Sequence, residues 1–435
     1  MPAAALLRLP ALQGKAFYHR LFTPMVTLWY LLYQRLHADH TLDAAVADAR
    51  AGGAARLNKK LSRGLRSDST CSFSDARQRL PWQFLAEALR LQASKILGLS
   101  PTVLWQGRVL ALLDGSTVRL RPHKQINKEF SGNPNQHRKP YWRLMRVVVC
   151  FCGMCGAALD CAMGSLHLSE QALACELIVR CAAKRLFLGD RNFGVFRVVQ
   201  AARHAKHEVL LRLTARRARR LLGRRLRPDQ YPVSWAPTRH DQLQPGASCE
   251  PVQGRLLVLT LRRPGFRSIQ LCLFTTLPEG PQFSLEELTR LYGLRWHVEL
   301  NLRYLKAQMD LVQLEAKSPD MVRKEWLAGL LAYNLIRAAQ LCAALHKGCS
   351  PLELCFSSVR RRLEQWLRHF NHSPRQARAQ WTRTLERMGS LRHPRRPKPR
   401  PTEPRAQRHL RQPYAPLHGS RAQARRNLKK YASKS

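Results

Sequence analysis

The sequence predicts an α/β protein: a mixed sheet with flanking helices, preceded by a helical domain and followed by a basic tail. Three observations predict this fold class. Apolar residues recur at the 3.6-residue period of amphipathic helices through most of the N-terminal quarter of the chain. After residue 108 the pattern changes to short apolar strands in the order β, β, β, α, β, which a mixed sheet with helices on its faces requires. Two long apolar helical segments then precede a proline-rich, basic C-terminus.

The N-terminal domain, residues 1–105, is predicted to be helical. Its first clear helix lies in TPMVTLWYLLYQRL, where Thr23 can cap the N-terminus and Pro24 suits the first turn. The segment DHTLDAAVADARAG predicts a short helix that is closed by the two glycines after it. The helical period then continues through residues 74–97. The sequence therefore predicts a helical module of about a hundred residues before the first strand.

The first part of the sheet domain is predicted at residues 106–214. RVLALLDGSTVRL is an apolar strand that ends on Asp114, before turn residues. RLMRVVVCFCGMCGAALDCAMG contains two strands joined by glycines, and a helix capped by Ser169 follows. RLFLGDRNFG is a short strand that ends on Asp190, and HEVLLRLT adds a further strand.

A β-rich insertion is predicted at residues 215–270. It begins with seven arginines between Arg216 and Arg227, which either contact DNA or form an ordinary solvated basic helix. The segment GRLLVLTLRRPGFRSIQLCLFTTL alternates like a hairpin around Pro264 and Gly265. The insertion therefore interrupts the sheet domain with strands of its own.

The second part of the sheet domain is predicted at residues 271–346. SLEELTRLYGLRWHVELNLRYLKAQMDL predicts one long helix begun by Ser284, with Glu287 completing a capping box. EWLAGLLAYNLIRAAQLCAAL predicts another, strongly apolar helix. A helical C-terminal region at residues 347–390 and a basic, disordered tail at residues 391–435 complete the chain.

Charge indicates the class of partner. The 435 residues include 74 Lys plus Arg and 28 Asp plus Glu, a net charge of +46. The tail holds 14 basic residues and one acidic residue. Without it, the rest of the chain has 60 basic and 27 acidic residues, a net charge of +33. Because the excess belongs to the folded body, nucleic acid is the leading partner and a membrane surface the weaker one.

Location and cysteine chemistry are constrained less sharply. We expect no signal peptide, and the longest apolar run, residues 147–159, is too short to cross a bilayer. We therefore expect a soluble, intracellular protein without a membrane partner. The single C-x-x-C of Cys152 and Cys155 lacks a second pair at zinc spacing, so buried reduced thiols are expected, with zinc or redox chemistry as the alternative.

Three carboxylates are candidates for catalysis. Asp114 and Asp190 each end an apolar strand, and Glu299 lies on the long helix after the last strand. Taken singly, an aspartate at a strand end is more often structural. Two aspartates on neighbouring strands repel each other unless a cation lies between them, and carboxylate oxygens select Mg²⁺ or Mn²⁺. Three such groups suffice for the two ions of phosphodiester chemistry.

The residues around Glu299 make a resemblance specific. Four polar residues share one narrow stripe of the long helix, beside its apolar face: Tyr292, Arg295, Glu299 and Lys306. Their spacing matches the Y-x-x-R-x-x-x-E-x6-K signature of bacterial insertion-sequence DDE transposases in the family named for insertion sequence four. LDGSTVRL and LGDRNFG are similar to that family's two aspartate blocks. The resemblance implies a ribonuclease H-like core interrupted by a β-rich insertion.

The resemblance also implies roles for the residues. Asp114, Asp190 and Glu299 would be catalytic and would bind two Mg²⁺ ions, or Mn²⁺, during DNA cleavage and strand transfer. Four residues would bind DNA phosphates: Tyr292, Arg295, Lys306 and Arg191. For Arg191, the role of an ordinary surface arginine is an equal alternative. The partners would be transposon ends and target DNA, bound by a homodimer that joins two ends, with no small-molecule cofactor. The N-terminal domain would bind the inverted repeat, although no helix-turn-helix glycine pattern marks a recognition helix. The expected location is the bacterial cytoplasm, associated with the nucleoid through DNA.

Two alternatives stay open. Trp235 in the insertion would stack on an unpaired base, as in some relatives, or pack a small β module, which is the commoner role of such a residue. The whole chain would alternatively be a catalytically inactive, transposase-derived DNA-binding protein, because one sequence does not show turnover.

Overall fold

A computed structural model describes most of the chain. The described residues are 2–393, apart from 18–19, 38, 64, 66, 133–140, 182–183, 244–249, 262–268 and 368–373, together with 420, 422–423 and 425–426. Met1–His393 form one compact unit and Pro394–Ser435 a second. The predicted disordered tail falls almost entirely outside the described residues.

The N-terminal region is helical, as predicted. Its helices are α1 Ala3–Leu7, α2 Pro24–Leu36, α3 Leu42–Arg50, α4 Cys71–Arg79 and α5 Trp82–Leu97. Thr23 caps α2, its side chain accepting a hydrogen bond from the backbone N–H of Val26. The single period predicted over residues 74–97 is divided between α4 and α5, because Leu80 is extended and Pro81 has no N–H with which to continue a helix.

The strands form one mixed sheet. They are β1 Val109–Leu120, β2 Arg143–Cys152, β3 Ala158–Ser165, β4 Arg185–Gly189, β5 Glu208–Leu213, β6 Asp229–Trp235, β7 Val252–Leu261, β8 Ile269–Thr275 and β9 Gln313–Leu314. Their order is β3-β2-β1-β4-β5-β8-β7-β6, and β9 pairs with the far end of β1. The pairs β1–β4 and β4–β5 are parallel. The other main pairs are antiparallel: β1–β2, β2–β3, β5–β8, β8–β7 and β7–β6.

Helices pack on both faces of the sheet and on one another. Those that follow β1 in the chain are α6 Lys124–Glu129, α7 Glu170–Arg180, α8 Phe196–His204, α9 Ala215–Leu222, α10 Arg239–Gln242, α11 Leu285–Gly293, α12 His297–Arg303, α13 Pro319–Lys347, α14 Phe356–Leu367 and α15 Pro374–Gly389. Alternate residues of β1 enter two separate cores: Leu112 packs with α11, α12 and α13, whereas Leu113 packs with α7 and α8. α13 is long and apolar enough to cross a membrane, but 83% of its most apolar window is buried inside the protein, as in a core helix.

The strands of the predicted insertion extend the main sheet. β6 and β7 continue it through β8, whose first residues, Ile269 and Gln270, fall within residues 215–270. The hairpin of β7 and β8 forms with antiparallel register, while its predicted turn at Pro264 and Gly265 lies outside the described residues. The edge strand β6 pairs with β7, which in turn pairs with β8. Side chains of the insertion also contact the rest of the fold, as where Arg217 donates to the carbonyl of Gly194.

The prediction that β1 ends on Asp114 is wrong. β1 continues to Leu120, because its pairing with β2 runs without interruption from Ala111 to Leu120 and β9 adds a partner at the far end. Val118 and Leu120 are fully buried, which gives the second half of the strand an apolar face of its own. Asp114 therefore lies in the middle of a strand, at the level where the shorter β4 ends.

The helix predicted after Ser284 forms as one continuous helical segment, but its winding is not uniform and the predicted capping box does not form. Ser284 does cap α11, accepting from the N–H of Glu287, but that glutamate's carboxylate accepts from Arg290 and Trp105 rather than closing the capping box. The chain then tightens into a 3₁₀ turn over Leu294–Trp296 before α12, and widens into a π turn over Tyr304–Gln308. These changes of winding rotate the signature residues relative to a uniform helical wheel.

Candidate active site

The register of the sheet brings two aspartates side by side. β1 and β4 are parallel, with Leu112 opposite Leu188, so continuing this register by two residues places Asp114 opposite Asp190. Asp190 follows the last residue of β4 and starts a turn, in which its carbonyl accepts from the N–H groups of Phe193 and Gly194 at 3.1 Å. The pair predicted from two strand ends is therefore adjacent in the structure, although only β4 ends there.

The environment of Asp114 favours its neutral form. Burial raises the pKa of this carboxyl from 3.8 to about 6. The N–H of Gly115, which donates to Asp114 Oδ1 at 2.9 Å, opposes the rise, and the charges of Asp190 and Glu170 add to it. Arg295 lowers the pKa by a smaller amount. Asp190 and Glu170 repel the ionised form of this half-buried carboxyl, and a bound cation would offset that repulsion.

The helix α11 lies against this pair. The Tyr292 hydroxyl donates to the carbonyl of Gly189, the last residue of β4, at 3.5 Å. Burial raises the pKa of Tyr292 from 10.0 to about 12, while the charges of Arg295 and Arg212 oppose the rise. Tyr292 is therefore a neutral hydroxyl at neutral pH, and it ties the signature helix to the residue before Asp190.

Glu299 and Arg295 form an ion pair on the signature helix. Arg295 Nη2 lies 3.0 Å from Glu299 Oε1, and the arginine side chain is 9% exposed against 49% for the glutamate. The guanidinium also lies over the ring of Trp296, whose side chain is largely exposed. The pair thus joins a buried cation near Asp114 to a carboxylate that reaches solvent.

The other two phosphate-binding candidates lie nearby in the chain. Lys306 is half-buried in the π turn that follows α12, and Arg191 is exposed in the turn after β4. The structure thus places Tyr292 and Arg295 close to the two aspartates. Glu299, which was expected to join the aspartates, is paired with Arg295. Within the described residues no three His, Cys, Asp or Glu side chains are grouped closely enough to hold a metal ion.

The donor set nevertheless suits a hard divalent cation. Asp114 and Asp190 offer neighbouring carboxylate oxygens, the ligands that Mg²⁺ and Mn²⁺ prefer. Burial is the main cause of the raised pKa of Asp114, and the charge of Asp190 adds to it, so a bound cation would stabilise the ionised form of this carboxyl. Glu299 is largely exposed, and its carboxylate is paired with Arg295 rather than grouped with the two aspartates. Asp114 and Asp190 therefore suit a divalent cation, and Glu299 would join them only after leaving Arg295.

The sequence interpretation missed three residues at this site. Glu170, the first residue of α7, and Asn192, two residues after Asp190, join the aspartates through hydrogen bonds and charge. Arg212 on β5 lies close enough to Tyr292 to lower its pKa. The D-x-N spacing of Asp190 and Asn192, which favours an Asx turn, was the available signal for one of them.

Trp235 is a packing residue in this structure. It is 6% exposed and makes edge-on contacts with Phe196 and Phe274, with ring centroids 6.3 and 4.9 Å away. One edge lines a cavity of about 470 Å³ that also contains Arg197 and Arg220. The commoner of the two predicted roles, packing of the strands, is the one its contacts support.

Five of the eleven cysteines in the described part of the chain are buried thiols. Cys152 ends β2 and Cys155 lies in the turn that follows; both are fully buried, and neither forms a disulfide. Burial raises the pKa of Cys161 to about 12, which keeps it a neutral, unreactive thiol. These residues behave as small hydrophobic side chains of the sheet.

A mixed sheet with paired aspartates at its centre, and a helix bearing a carboxylate and cations against them, defines the class of DDE-domain proteins. The family model described as the transposase DDE domain matches residues 105–335, more than half of the chain, and the protein belongs to this family. The expected resemblance to insertion-sequence DDE transposases of the family named for insertion sequence four is thereby confirmed.

The chain is also similar to individual transposases of Escherichia coli. The chain is 28% identical over 296 residues to the transposase InsG for insertion sequence element IS4 of Escherichia coli (strain K12), covering 65% of this chain and 64% of InsG. It is 41% identical over 64 residues, 15% of this chain and 17% of the relative, to the putative transposase InsL for IS186A of the same organism. A solved synaptic complex of piggyBac transposase with hairpin DNA aligns at TM-score 0.39 and 10% identity, covering 88% of this chain and 80% of that chain.

Proposed function

We propose that the protein is a DNA transposase that binds the terminal inverted repeats of an insertion sequence and carries out metal-dependent cleavage and strand transfer. The observation that carries the proposal is the adjacency of Asp114 and Asp190 at the centre of a sheet in a DDE-domain protein. The chain aligns with 64% of the length of InsG. The similarity to a named transposase therefore supports the proposal, but the activity itself remains proposed for this chain.

We also propose that β1 to β5 with α7 and α8 form a ribonuclease H-like core. The predicted order β, β, β, α, β, the parallel pairing of β1 with β4 and β5 beyond it, and an aspartate on each of β1 and β4 support this assignment. The strands of residues 215–270 are then an addition at the β5 edge. Such a core would place the two aspartates where a substrate backbone can approach from the end of β4.

In this mechanism Asp114, Asp190 and Glu299 hold Mg²⁺ or Mn²⁺. Two such ions, when bound, would activate the attacking oxygen and stabilise charge on the leaving oxygen of a phosphodiester. The chain contributes two carboxylates whose backbone is fixed: Asp190 is held by its turn, and Asp114 by the pairing of β1 with β2. Glu299 would complete the set from the helix after it leaves Arg295.

The signature cations would position the DNA. Arg295 is paired with Glu299 in the free protein, so the movement that gives Glu299 to a cation also releases the guanidinium for a phosphate. Tyr292, a neutral hydroxyl beside Gly189, can donate to a phosphate oxygen near the aspartates. Lys306 and Arg191 would hold phosphates farther along the strand as point charges.

The expected partners follow from the chemistry and the charge. Transposon ends and target DNA would both be drawn to a chain with a net charge of +46. We propose a homodimer, because two ends must be joined in one complex, and a site of action on the bacterial nucleoid. DNA binding at low salt would not test the proposal, since any chain of this charge binds DNA.

The discriminating experiment is cleavage of DNA carrying the inverted repeats that flank the gene. Purified wild type should nick this DNA in Mg²⁺ and not in EDTA, and Glu299→Ala should bind the same DNA without cutting it. The matched control is Glu286→Ala, an exposed glutamate at the start of α11, which should cut like the wild type. A wild type that binds its ends and never cuts them would instead support the alternative, an inactive DNA-binding protein.

A further inference from the structure

Asp190 is held by a hydrogen-bonded turn. Its Oδ1 accepts from the backbone N–H of Asn192 at 2.8 Å, which fixes the rotation of the carboxylate. The same turn is closed through the Asp190 carbonyl by Phe193 and Gly194. The orientation of this carboxylate therefore depends on where the backbone of Asn192 is placed.

The side chain of Asn192 is held from another element. Its Nδ2 donates to Glu170 Oε2 at 2.6 Å, and its Oδ1 accepts from Gln171 Nε2 at 2.9 Å. Gln171 Nε2 also donates to the backbone carbonyl of Asn192 at 3.0 Å. Both holding residues are the first two of α7, whose start is fixed by the Ser169 cap at 3.1 Å. Three contacts thus join the start of α7 to the turn.

The start of α7 also packs against β1. The carboxyl group of Glu170 fills the space above Gly115, where an added Cβ would lie 2.3 Å from Glu170 Cδ. Gly115 directly follows Asp114, and its lack of a side chain is what admits the glutamate. Glu170 therefore lies between the strand that carries one aspartate and the turn that carries the other.

We propose that Glu170 and Gln171 are positioning residues, which hold Asn192 and through it the carboxylate of Asp190 in the orientation that binds a divalent cation. The inference rests on the proposed function, because it assigns Asp190 to the cation. Residues that orient metal ligands typically contribute about 10- to 100-fold to metal affinity. Asn192 acts through its backbone N–H, so its side chain serves to fix that N–H and not to touch the cation.

A competing role for Glu170 is direct ligation as a fourth carboxylate, and the two roles separate by substitution. Glu170→Gln keeps an oxygen that accepts from Asn192 Nδ2 but removes the charge. Glu170→Ala removes both. A positioning residue tolerates the amide, whereas a metal ligand does not.

The test is Mn²⁺ binding to the full chain without DNA, followed by the EPR signal of the free ion. We expect Asn192→Ala, Gln171→Ala and Glu170→Ala to weaken binding about 10- to 100-fold and Glu170→Gln to bind within about threefold of wild type. Glu176→Gln, an exposed glutamate two turns along α7, is the control and should not change affinity. Thermal unfolding without metal identifies any variant that fails to fold. Gln171→Ala is the mildest change, so it still tests the proposal if another variant does not fold.

The outcomes distinguish the inference from the proposed function. Wild-type affinity in folded Asn192→Ala and Gln171→Ala would overturn the positioning role, as would equal losses in Glu170→Gln and Glu170→Ala, which would indicate a ligand. A wild type that binds no Mn²⁺ would overturn the inference too. A wild type that binds Mn²⁺ through these residues but cuts no DNA would defeat only the proposed function.

Discussion

Replacing Asp114 by asparagine is expected to stabilise the metal-free protein at neutral pH while removing its cleavage activity. The wild-type carboxyl is buried beside Asp190 and Glu170, which disfavours its ionised form. An amide of the same shape carries no charge, and its oxygen can still accept from the N–H of Gly115. The substitution therefore removes a repulsion and keeps the local hydrogen bond.

The magnitude follows from the pKa. Folding raises the pKa of Asp114 from 3.8 to about 6. Each factor of ten in the proton dissociation constant is about 1.4 kcal/mol, so the ionised carboxylate makes the folded state about 3 kcal/mol less stable at neutral pH than a neutral group would. Because the site is partly open to solvent, this figure is an upper bound.

The sign of the pH dependence is fixed by the direction of the shift. Between about pH 4 and pH 6 the folded protein holds this proton more tightly than the unfolded chain, so wild-type stability falls as the pH rises through that window. Asp114→Asn does not share that loss. The free energy of unfolding of the variant should match the wild type near pH 4 and exceed it by up to about 3 kcal/mol at pH 7.5.

Urea denaturation in EDTA, followed by tryptophan fluorescence at both pH values, measures this difference. Asp229→Asn is the matched control, because Asp229 is exposed and its carboxylate accepts from the next residue's N–H in the same way. The control should leave stability unchanged at both pH values. A destabilised Asp114→Asn protein, or a gain in stability that is the same at both pH values, would refute the account of this carboxyl.

Three further predictions concern packing and charge. Arg337→Met should lower the free energy of unfolding by about 3 kcal/mol, because the oxygens of Asn301 and Gln340 lose their buried donor. Trp235→Ala should cost about 3–5 kcal/mol in the same denaturation assay, since the ring packs on Phe274; wild-type stability in either variant would contradict these contacts. The affinity of the whole chain for DNA should fall with salt at a slope of about 0.9 per phosphate contact in a filter-binding titration, and a flat profile would contradict the electrostatic account.

Local signals predicted the elements whose ends are set locally. The caps of α2 and α7 at Thr23 and Ser169 form as expected, since an N-cap depends on residues within one turn. The strand that ends before Asp190 is likewise bounded by its own turn residues. These features required no knowledge of the rest of the chain.

Features that depend on distant partners were not predictable in the same way. β1 passes through Asp114 because β2 and β9 supply hydrogen-bonding partners for residues that look like a turn in sequence. The winding of the signature helix changes around Arg295, whose guanidinium is buried among residues from other elements. The pairing of Glu299 with that arginine, and the contacts of Glu170 with Asn192, likewise arise only on folding.

The most direct test of the central claim, that these aspartates hold divalent ions for DNA cleavage, is a change of metal preference. Asp190→Cys replaces a hard oxygen ligand by a softer thiolate, which favours Mn²⁺ over Mg²⁺. Cleavage of the element's ends by this variant should be lost in Mg²⁺ and recovered in part in Mn²⁺, while the wild type cuts in both. A folded variant that cuts equally well in the two metals would contradict the assignment of Asp190 as a metal ligand.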